Sequence, residues 1–244
     1  MDERLKKIID SSRNIVFFGG AGVSTESNIP DFRSEKGLYQ AQQAYGYSPE
    51  EMLSHTFFMR QRKTFYDYYK KNLIYPDAQP NKAHRALARL EAEGKVKAVV
   101  TQNIDGLHQK AGSQCVYELH GSVLRNYCMS CGQFHSLEEI MDPANCDEDG
   151  IPRCKTCGGT VKPDVVLYEE ALDDQCINGA VAAISRADTL IIGGTSLVVY
   201  PAAGLIRYFQ GDNLVLINKS VTSVDSKADL VINDSIGKVM DYDI

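Results

Sequence analysis

Short apolar runs punctuate this chain at residues 15–18, 98–100, 116–119, 190–192 and 214–217, with weaker ones at 165–167 and 230–232. An apolar run that does not alternate is the mark of a strand buried on both faces, so these runs predict a parallel sheet. Between them the apolar spacing lengthens to three and four. Asn81 predicts an N-cap, Ala83, Leu87 and Leu90 then share a helix face, and Gly94 closes it. Asp173 opens a second helix, with Ile177, Ala180, Val181 and Ile184 at helical spacing. Pro201 suits the first turn of a third. The opening MDERLKKIIDSS is an amphipathic helix with Leu5, Ile8 and Ile9 on one side. Strands alternating with helices predict an α/β fold, a doubly wound parallel Rossmann-like sheet.

Two stretches break that rhythm. Residues 34–80 are rich in Tyr, Gln and Lys and read as a helical insertion around residues 50–72. Residues 121–162 hold two Cys-x-x-Cys pairs among many turn formers. The expected organisation is a Rossmann-like sheet domain made of 1–33, 81–120 and 163–244. It is interrupted by a helical module at 34–80 and a smaller zinc-ribbon module at 121–162. No internal repeat or low-complexity segment is evident.

Composition narrows the function classes. With 244 residues the chain can be one large domain, or one large and one small. Its 43% apolar and 24% charged residues are ordinary for a globular protein in water. A net charge of −6 argues against a broad nucleic-acid footprint. The same charge would steer basic protein segments inward. The start lacks the apolar core of a signal peptide, and no apolar run approaches about 18 residues, so neither export nor a membrane span is expected. The expected location is the cytoplasm, where thiols stay reduced.

The seven cysteines therefore favour metal over disulfides. Cys128-x-x-Cys131 and Cys154-x-x-Cys157 are separated by 22 residues, and each pair is followed by glycine, Gly132 or Gly158. Four thiolates make a closed tetrahedral zinc site, structural because no position is left for a reacting water. The spacer slightly exceeds the usual length of about 15–20. A redox role for one pair is the competing reading. Cys146 is a spare thiol, and Cys115 and Cys176 read as core residues.

Val16-Phe17-Phe18 runs straight into Gly19-Gly20-Ala21-Gly22. Glycines after a strand let the backbone approach a pyrophosphate, and a following helix aims its N-terminus at the charge. The third glycine of the usual fingerprint is missing, because Thr25 stands there. Taken alone, a glycine turn that merely joins strand to helix reads as well. Two further turns favour the phosphate. Gly193-Gly194-Thr195-Ser196 follows one apolar run and Asn218 follows another, and nucleotides sit at such strand ends. No acidic residue stands about 20 positions on to take the ribose, which leaves that role to Asn218.

The segment TQNIDGLH (101–108) carries Gln102, Asn103 and Asp105 off the end of an apolar run, and ELHG (118–121) carries His120 off the next. Asn103 and Asp105 are two apart and are expected to face one pocket. In their company His120 reads as a general base near neutral pH. His55, His84, His108 and His135 read as structural, His108 as a packing or helix-terminus residue.

GAGVSTESNIPDFR (20–33), TQNIDGLH, ELHG, the two Cys-x-x-Cys pairs, KPDVVLYEE (162–170) and GGTSLVVYPAA (193–203) occur in this order and span nearly the whole chain. Together they resemble the sirtuins, the NAD-dependent protein-lysine deacylases, and the short length resembles their bacterial type. The resemblance implies that NAD+ is consumed as a cosubstrate. The acyl oxygen attacks C1′ of the nicotinamide ribose, and free lysine, nicotinamide and 2′-O-acyl-ADP-ribose are released. It implies catalytic roles for His120, Asn103 and Asp105. Gly20, Ala21, Gly22, Thr25, Phe32 and Arg33 would hold the cofactor. Gln102, Asn103, Ile104, Asp105 and His120 would surround the nicotinamide ribose. Gly194, Thr195, Ser196 and Asn218 would take the adenosine half, with Ile236 near the adenine. Acyl-lysine proteins or peptides would enter as an extended strand beside Val166, Tyr168, Glu169 and Glu170. One structural Zn2+ would sit on Cys128, Cys131, Cys154 and Cys157. No membrane or nucleic-acid partner is implied, and nothing requires more than a monomer.

Sirtuins that prefer succinyl or malonyl groups resemble one another in a Tyr-x-x-Arg pair. Here Tyr69 stands where the Arg would be, so neutral acyl groups, acetyl first, are expected. Two departures stand out. Asn28 replaces a common Gly, a change that a positive φ tolerates. Glu169 replaces another Gly where the peptide strand would pair, and its carboxylate is expected to favour Lys or Arg beside the target lysine. The rival readings are a sirtuin-like protein ADP-ribosyltransferase and a non-catalytic NAD-sensing module. A Rossmann dehydrogenase is disfavoured by the missing glycine fingerprint.

Overall fold

In the computed structural model, residues 2–31 and 35–241 are described. The strands are β1 (Ile15–Gly19), β2 (Val96–Thr101), β3 (Val116–Glu118), β4 (Gly121–Cys128), β5 (Phe134–His135), β6 (Val161–Val165), β7 (Thr189–Gly193), β8 (Asn213–Ile217) and β9 (Leu230–Ile232). The helices are α1 (Glu3–Ser11), α2 (Glu35–Tyr45), α3 (Pro49–Met52), α4 (His55–Arg60), α5 (Arg62–Asn72), α6 (Lys82–Ala92), α7 (Leu107–Ala111), α8 (Leu137–Met141), α9 (Asp174–Arg186) and α10 (Ile236–Val239).

Six strands form one parallel sheet in the order β3-β2-β1-β7-β8-β9. The chain winds outward from β1 to β3, then returns to the other side of β1 at β7. The switch point therefore lies between β1 and β7, where Gly20 and Gly194 leave the strands. Strand side chains alternate between faces. Ile15 and Phe17 pack with Leu5, Leu87 and Leu90 on one face. Val16 and Phe18 pack with Ala180, Ile184 and Leu205 on the other. Cys115 and Cys176 are half-buried at the edge of that second core.

Local chemistry sets the helix ends. The Asn81 side chain accepts from the amides of Ala83 and His84, and the His84 ring accepts in turn from the Asn81 amide. Asn81 also donates to the Val23 carbonyl at 2.7 Å, tying α6 to the turn after β1. Gly94 closes this helix with φ +74°, a conformation that favours glycine. Asp173 caps α9 through the Cys176 amide.

The second sheet is antiparallel, in the order β5-β4-β6. It shares a core with α3, α4 and α5, where Phe58, Phe65, Tyr66 and Tyr69 pack with Val123, Cys128, Cys154 and Val161. Phe58 and Phe65 meet edge to face at 4.9 Å, a favourable aromatic geometry. The Tyr66 hydroxyl donates to the Val161 carbonyl.

Three expectations need correction. The strand expected at 165–167 is β6, which ends at Val165. Its buried positions alternate as Val161, Pro163 and Val165, so it is half-buried and antiparallel. Beyond it the Val166 amide turns to the His120 carbonyl and the Tyr168 amide to that of Leu53. No α-helix follows Gly22. Two 3-10 turns stand there, Ala21–Val23 and Thr25–Ser27, ended by Asn28 at φ +62°. The stretch rising from Pro201 is likewise a 3-10 helix, Ala202–Tyr208, with Pro201 as its cap.

Candidate active site

The carboxyl edge of the parallel sheet gathers the predicted polar residues. At the switch point the Gly22 amide donates to the Gly194 carbonyl at 2.8 Å. A Cβ on Gly22 would lie 2.8 Å from the Gly194 Cα, and one on Gly20 would lie 2.9 Å from the Thr195 Cβ. Glycine is needed here first so that the two turns can pack on each other. The edge above β1 and β7 is thereby surfaced by backbone and small residues, a shape that suits a dinucleotide pyrophosphate.

Gln102 links this edge to the next loop, its amide donating to the Thr195 hydroxyl at 3.1 Å. Beyond it, Ser24 joins Asn103 and Asp105 of the TQNID segment. The Ser24 hydroxyl donates to Asp105 Oδ2 at 2.7 Å and accepts from Asn103 Nδ2 at 3.0 Å. The other Asp105 oxygen accepts from the Leu107 amide at 2.9 Å. Burial raises the Asp105 carboxyl above its ordinary pKa; the Leu107 amide and Ser24 oppose this, and Glu118 adds to it.

His120 follows β3, and its Nδ1 lies 2.9 Å from the Gln102 carbonyl. A carbonyl only accepts, so Nδ1 carries the proton and Nε2 the lone pair.

These groups converge on one cleft of about 200 Å³. Ala21, Gln102, Asn103, Ile104, Asp105 and His120 line it, and so do Val166, Tyr168, Glu169 and Glu170. The other predicted residues lie elsewhere. Gly20, Gly22, Gly194 and Thr195 form the double turn behind the cleft. The Thr25 hydroxyl is turned to the Gly22 carbonyl. Ser196 is exposed past β7. Asn218 uses its side-chain amide on the Ser220 carbonyl at 2.8 Å. Ile236 is buried in the core, packed over Gly193. Phe32 and Arg33 lie outside the described residues.

Sequence reasoning missed several lining residues. Ser24 is inside a quoted motif, but its partners Asn103 and Asp105 are 79 and 81 positions away in the chain. Leu53 and Leu73 of the helical stretch, and Tyr200 after β7, also line the cleft. Their spacing in the sequence carries no signal of it.

The segment 166–170 closes one side of the cleft. The Tyr168 amide donates to the Leu53 carbonyl, and its carbonyl accepts from the His55 amide. The Glu169 carboxylate does not project alone; it accepts from the Thr56 amide at 2.8 Å. Glu170 accepts from Lys162 and the Leu167 amide, and pairs with His55 Nδ1 at 2.8 Å. Tyr69, the residue at the acyl-selecting position, is fully buried and stacked on Phe65.

The four predicted metal ligands come together at the end of the small sheet. The sulfurs of Cys128, Cys131, Cys154 and Cys157 all lie within 4.8 Å of one another. The closest approaches are 3.4 Å for Cys128 to Cys157 and 3.7 Å for Cys131 to Cys154. A tetrahedron with zinc–sulfur bonds of about 2.3 Å needs sulfurs roughly 3.8 Å apart, so the set fits zinc. Both pairs use the same turn. The Gly132 amide donates to the Cys128 carbonyl, and that of Gly158 to Cys154, with φ of +74° and +73°.

Comparison with known proteins gives a consistent picture. A model of the Sir2 family matches residues 20–201. The chain is 64% identical over 237 residues to an NAD-dependent protein deacetylase of Clostridium acetobutylicum, covering 97% of this chain and 95% of the relative. It is 65% identical over 238 residues to one of Clostridium perfringens, covering 97% and 96%. Among solved structures, "Sir2-p53 peptide-NAD+" superposes with a TM-score of 0.86 at 35% identity, covering 98% of this chain and 95% of that one. "Structure of Sir2Tm bound to a propionylated peptide" superposes with a TM-score of 0.85 at 36% identity, covering 98% and 96%.

Proposed function

Since the chain belongs to the Sir2 family and is an NAD-dependent protein-lysine deacetylase with one structural zinc, we propose that His120 is its general base and that Asn103 and Asp105 orient the reacting ribose. The convergence of Ser24, Asn103, Asp105 and His120 on one cleft carries this reading. When bound, NAD+ supplies an electrophilic ribose carbon and a nicotinamide leaving group, and the acyl oxygen of the substrate lysine is the nucleophile.

The chain's own residues do the rest. His120, with Nδ1 fixed on the Gln102 carbonyl, offers Nε2 to take a ribose hydroxyl proton. Ser24 links Asn103 and Asp105 through its hydroxyl, so their positions are set before the substrate arrives. The half-buried Asp105 carboxylate favours positive charge developing nearby. Gly20, Ala21, Gly22, Gly194, Thr195 and Ser196 would hold the pyrophosphate and adenosine, with Thr25, Asn218 and Ile236 beside them. Phe32 and Arg33 complete the cofactor set in this reading. The four cysteines hold zinc away from the chemistry.

The substrate is an acyl-lysine protein or peptide, entering along Val166, Tyr168, Glu169 and Glu170. We assign residues 1–33, 81–120 and 163–244 to the cofactor domain, and 34–80 with 121–162 to two inserted modules, a division that their shared aromatic core supports. No described helix is long and apolar enough to cross a membrane, and all seven cysteines are unpaired in disulfides, as suits the cytoplasm. Neutral acyl groups are preferred, because the position of a carboxylate-binding Arg is filled by the buried Tyr69.

The test is mass spectrometry of acetyl-lysine and succinyl-lysine peptides with and without NAD+. Deacetylation that needs NAD+ and yields nicotinamide with acetyl-ADP-ribose, well ahead of desuccinylation, is expected. Nicotinamide release with ADP-ribose attached to protein, and no deacylation, would overturn it.

A further inference from the structure

The segment 166–170 connects the catalytic edge to the helical stretch. At one end the Val166 amide donates to the His120 carbonyl at 3.0 Å. At the other, Tyr168 bridges to Ser54, with its amide 3.0 Å from the Leu53 carbonyl and its carbonyl 2.9 Å from the His55 amide. Both Leu53 and Tyr168 line the cleft, so this bridge joins two parts of its lining.

Glu169 is the residue on which the segment turns. Its φ is +76°, a left-handed conformation shared among the described non-glycine residues only with Asn28 and Leu197. Such a backbone suits glycine; a glutamate there is restrained by its own Cβ. Its carboxylate takes the Thr56 amide at 2.8 Å. The Ser54 hydroxyl takes the Phe57 amide at 3.1 Å. Two of the unpaired amides in the first turn of α4 are thus satisfied, one from within the helix's own cap and one from the cleft wall. Hydrogen bonds from Thr56, its side chain first and then its amide, hold the Glu169 carboxyl below its ordinary pKa. The neighbouring Glu170 serves differently, locked by Lys162, His55 and the Leu167 amide.

We propose that Glu169 is a positioning residue for the acyl-lysine peptide: its carboxylate clamps the turn at 168–169 onto the start of α4 and so presets the cleft mouth. This rests on the deacetylase reading and replaces selection of basic flanking residues as the main use of the carboxylate.

Two variants test it. Glu169→Gly removes the carboxylate while leaving a backbone that suits φ +76°. Glu169→Gln keeps an oxygen that can accept from Thr56. For Glu169→Gly the KM for acetyl-peptide is expected to rise about three- to tenfold, the scale of one charge-assisted hydrogen bond, with kcat and the KM for NAD+ held within about twofold. Glu169→Gln is expected to rescue most of that loss, equally for peptides with basic and acidic neighbours. An unchanged peptide KM in Glu169→Gly overturns the clamp. So does a Glu169→Gln variant that matches Glu169→Gly with the loss confined to peptides with basic neighbours, which assigns the carboxylate to charge selection. Peptide affinity by calorimetry repeats the comparison without turnover. Failure of the deacetylase reading would instead show as wild-type protein that leaves acetyl-peptide intact.

Discussion

His120 Nδ1 and the Gln102 main-chain oxygen are 2.9 Å apart, and that one bond decides which ring nitrogen can take a proton. The acceptor is backbone, so no side-chain substitution at Gln102 removes it. His120→Ala should lower kcat by about 10²–10⁴, the usual worth of a general base. The half-buried ring contributes little to the core, so the melting temperature should barely move. Kinetics beside a thermal melt checks both. A variant that keeps more than a tenth of wild-type kcat would remove His120 from the base role.

Asp105 has a raised pKa chiefly because it is buried. A carboxyl with a raised folded-state pKa holds its proton more tightly in the native chain than in the unfolded one. Its ionised form therefore costs stability at neutral pH, and that cost fades as pH falls to the unfolded value near 3.9. Asp105→Asn should thus melt at or above the wild-type temperature at pH 7.5 while kcat falls by about 10²–10³. A melting temperature several degrees lower would mean that the bonds to Leu107 and Ser24 outweigh the burial cost.

His84 and His108 meet at a tilt with ring centroids 4.7 Å apart, both fully buried. Burial lowers their pKa values, to about 4 for His84, with help from Arg85, and to about 3 for His108, with help from His84. The unfolded chain takes up these protons near pH 6.5. Stability is therefore intact above that value and is lost as pH falls from about 6.5 toward 4 and then 3, by roughly 2 kcal/mol per ring at pH 5. Both His108 nitrogens are buried without a partner among the described residues. His108→Leu should flatten the fall in melting temperature between pH 7 and pH 5. An unchanged slope would place the acid sensitivity elsewhere.

Cys128 and Cys154 belong to the same core as Phe58, Phe65 and Tyr66. Removing zinc should therefore loosen the helical wall of the cleft as well as the metal site. A strong chelator is expected to release one zinc per chain and to lower the melting temperature by on the order of 10 °C. Peptide affinity should fall before NAD+ affinity does. Metal analysis, melts and calorimetry on one sample would show it. Equal loss of both affinities would mean that the damage spreads through the sheet.

The parallel strands were legible because burial on both faces leaves a continuous apolar run, as in Val16-Phe17-Phe18. The zinc ligands were legible because their spacing encodes the turn directly. β6 was misplaced because Val165-Val166-Leu167 looks like a buried run, whereas only Val161, Pro163 and Val165 share the packed face. The helix expected after Gly22 was lost to tertiary contacts. Gly22 is held against Gly194, and Asn28 breaks the stretch soon after. Ser24 escaped notice because its importance comes from two partners that only folding brings near.

Gly22 and Gly194 stand 172 positions apart in the chain, yet each occupies the space where the other's Cβ would go. For an evolving sequence they are a single character. Enlarging either one alone displaces the other's backbone, and with it the turn that carries Thr195 toward Gln102. A side chain at either position therefore needs a compensating shift of the facing turn. The two halves of the sheet are thus joined by backbone contact at the place where their chemistry meets.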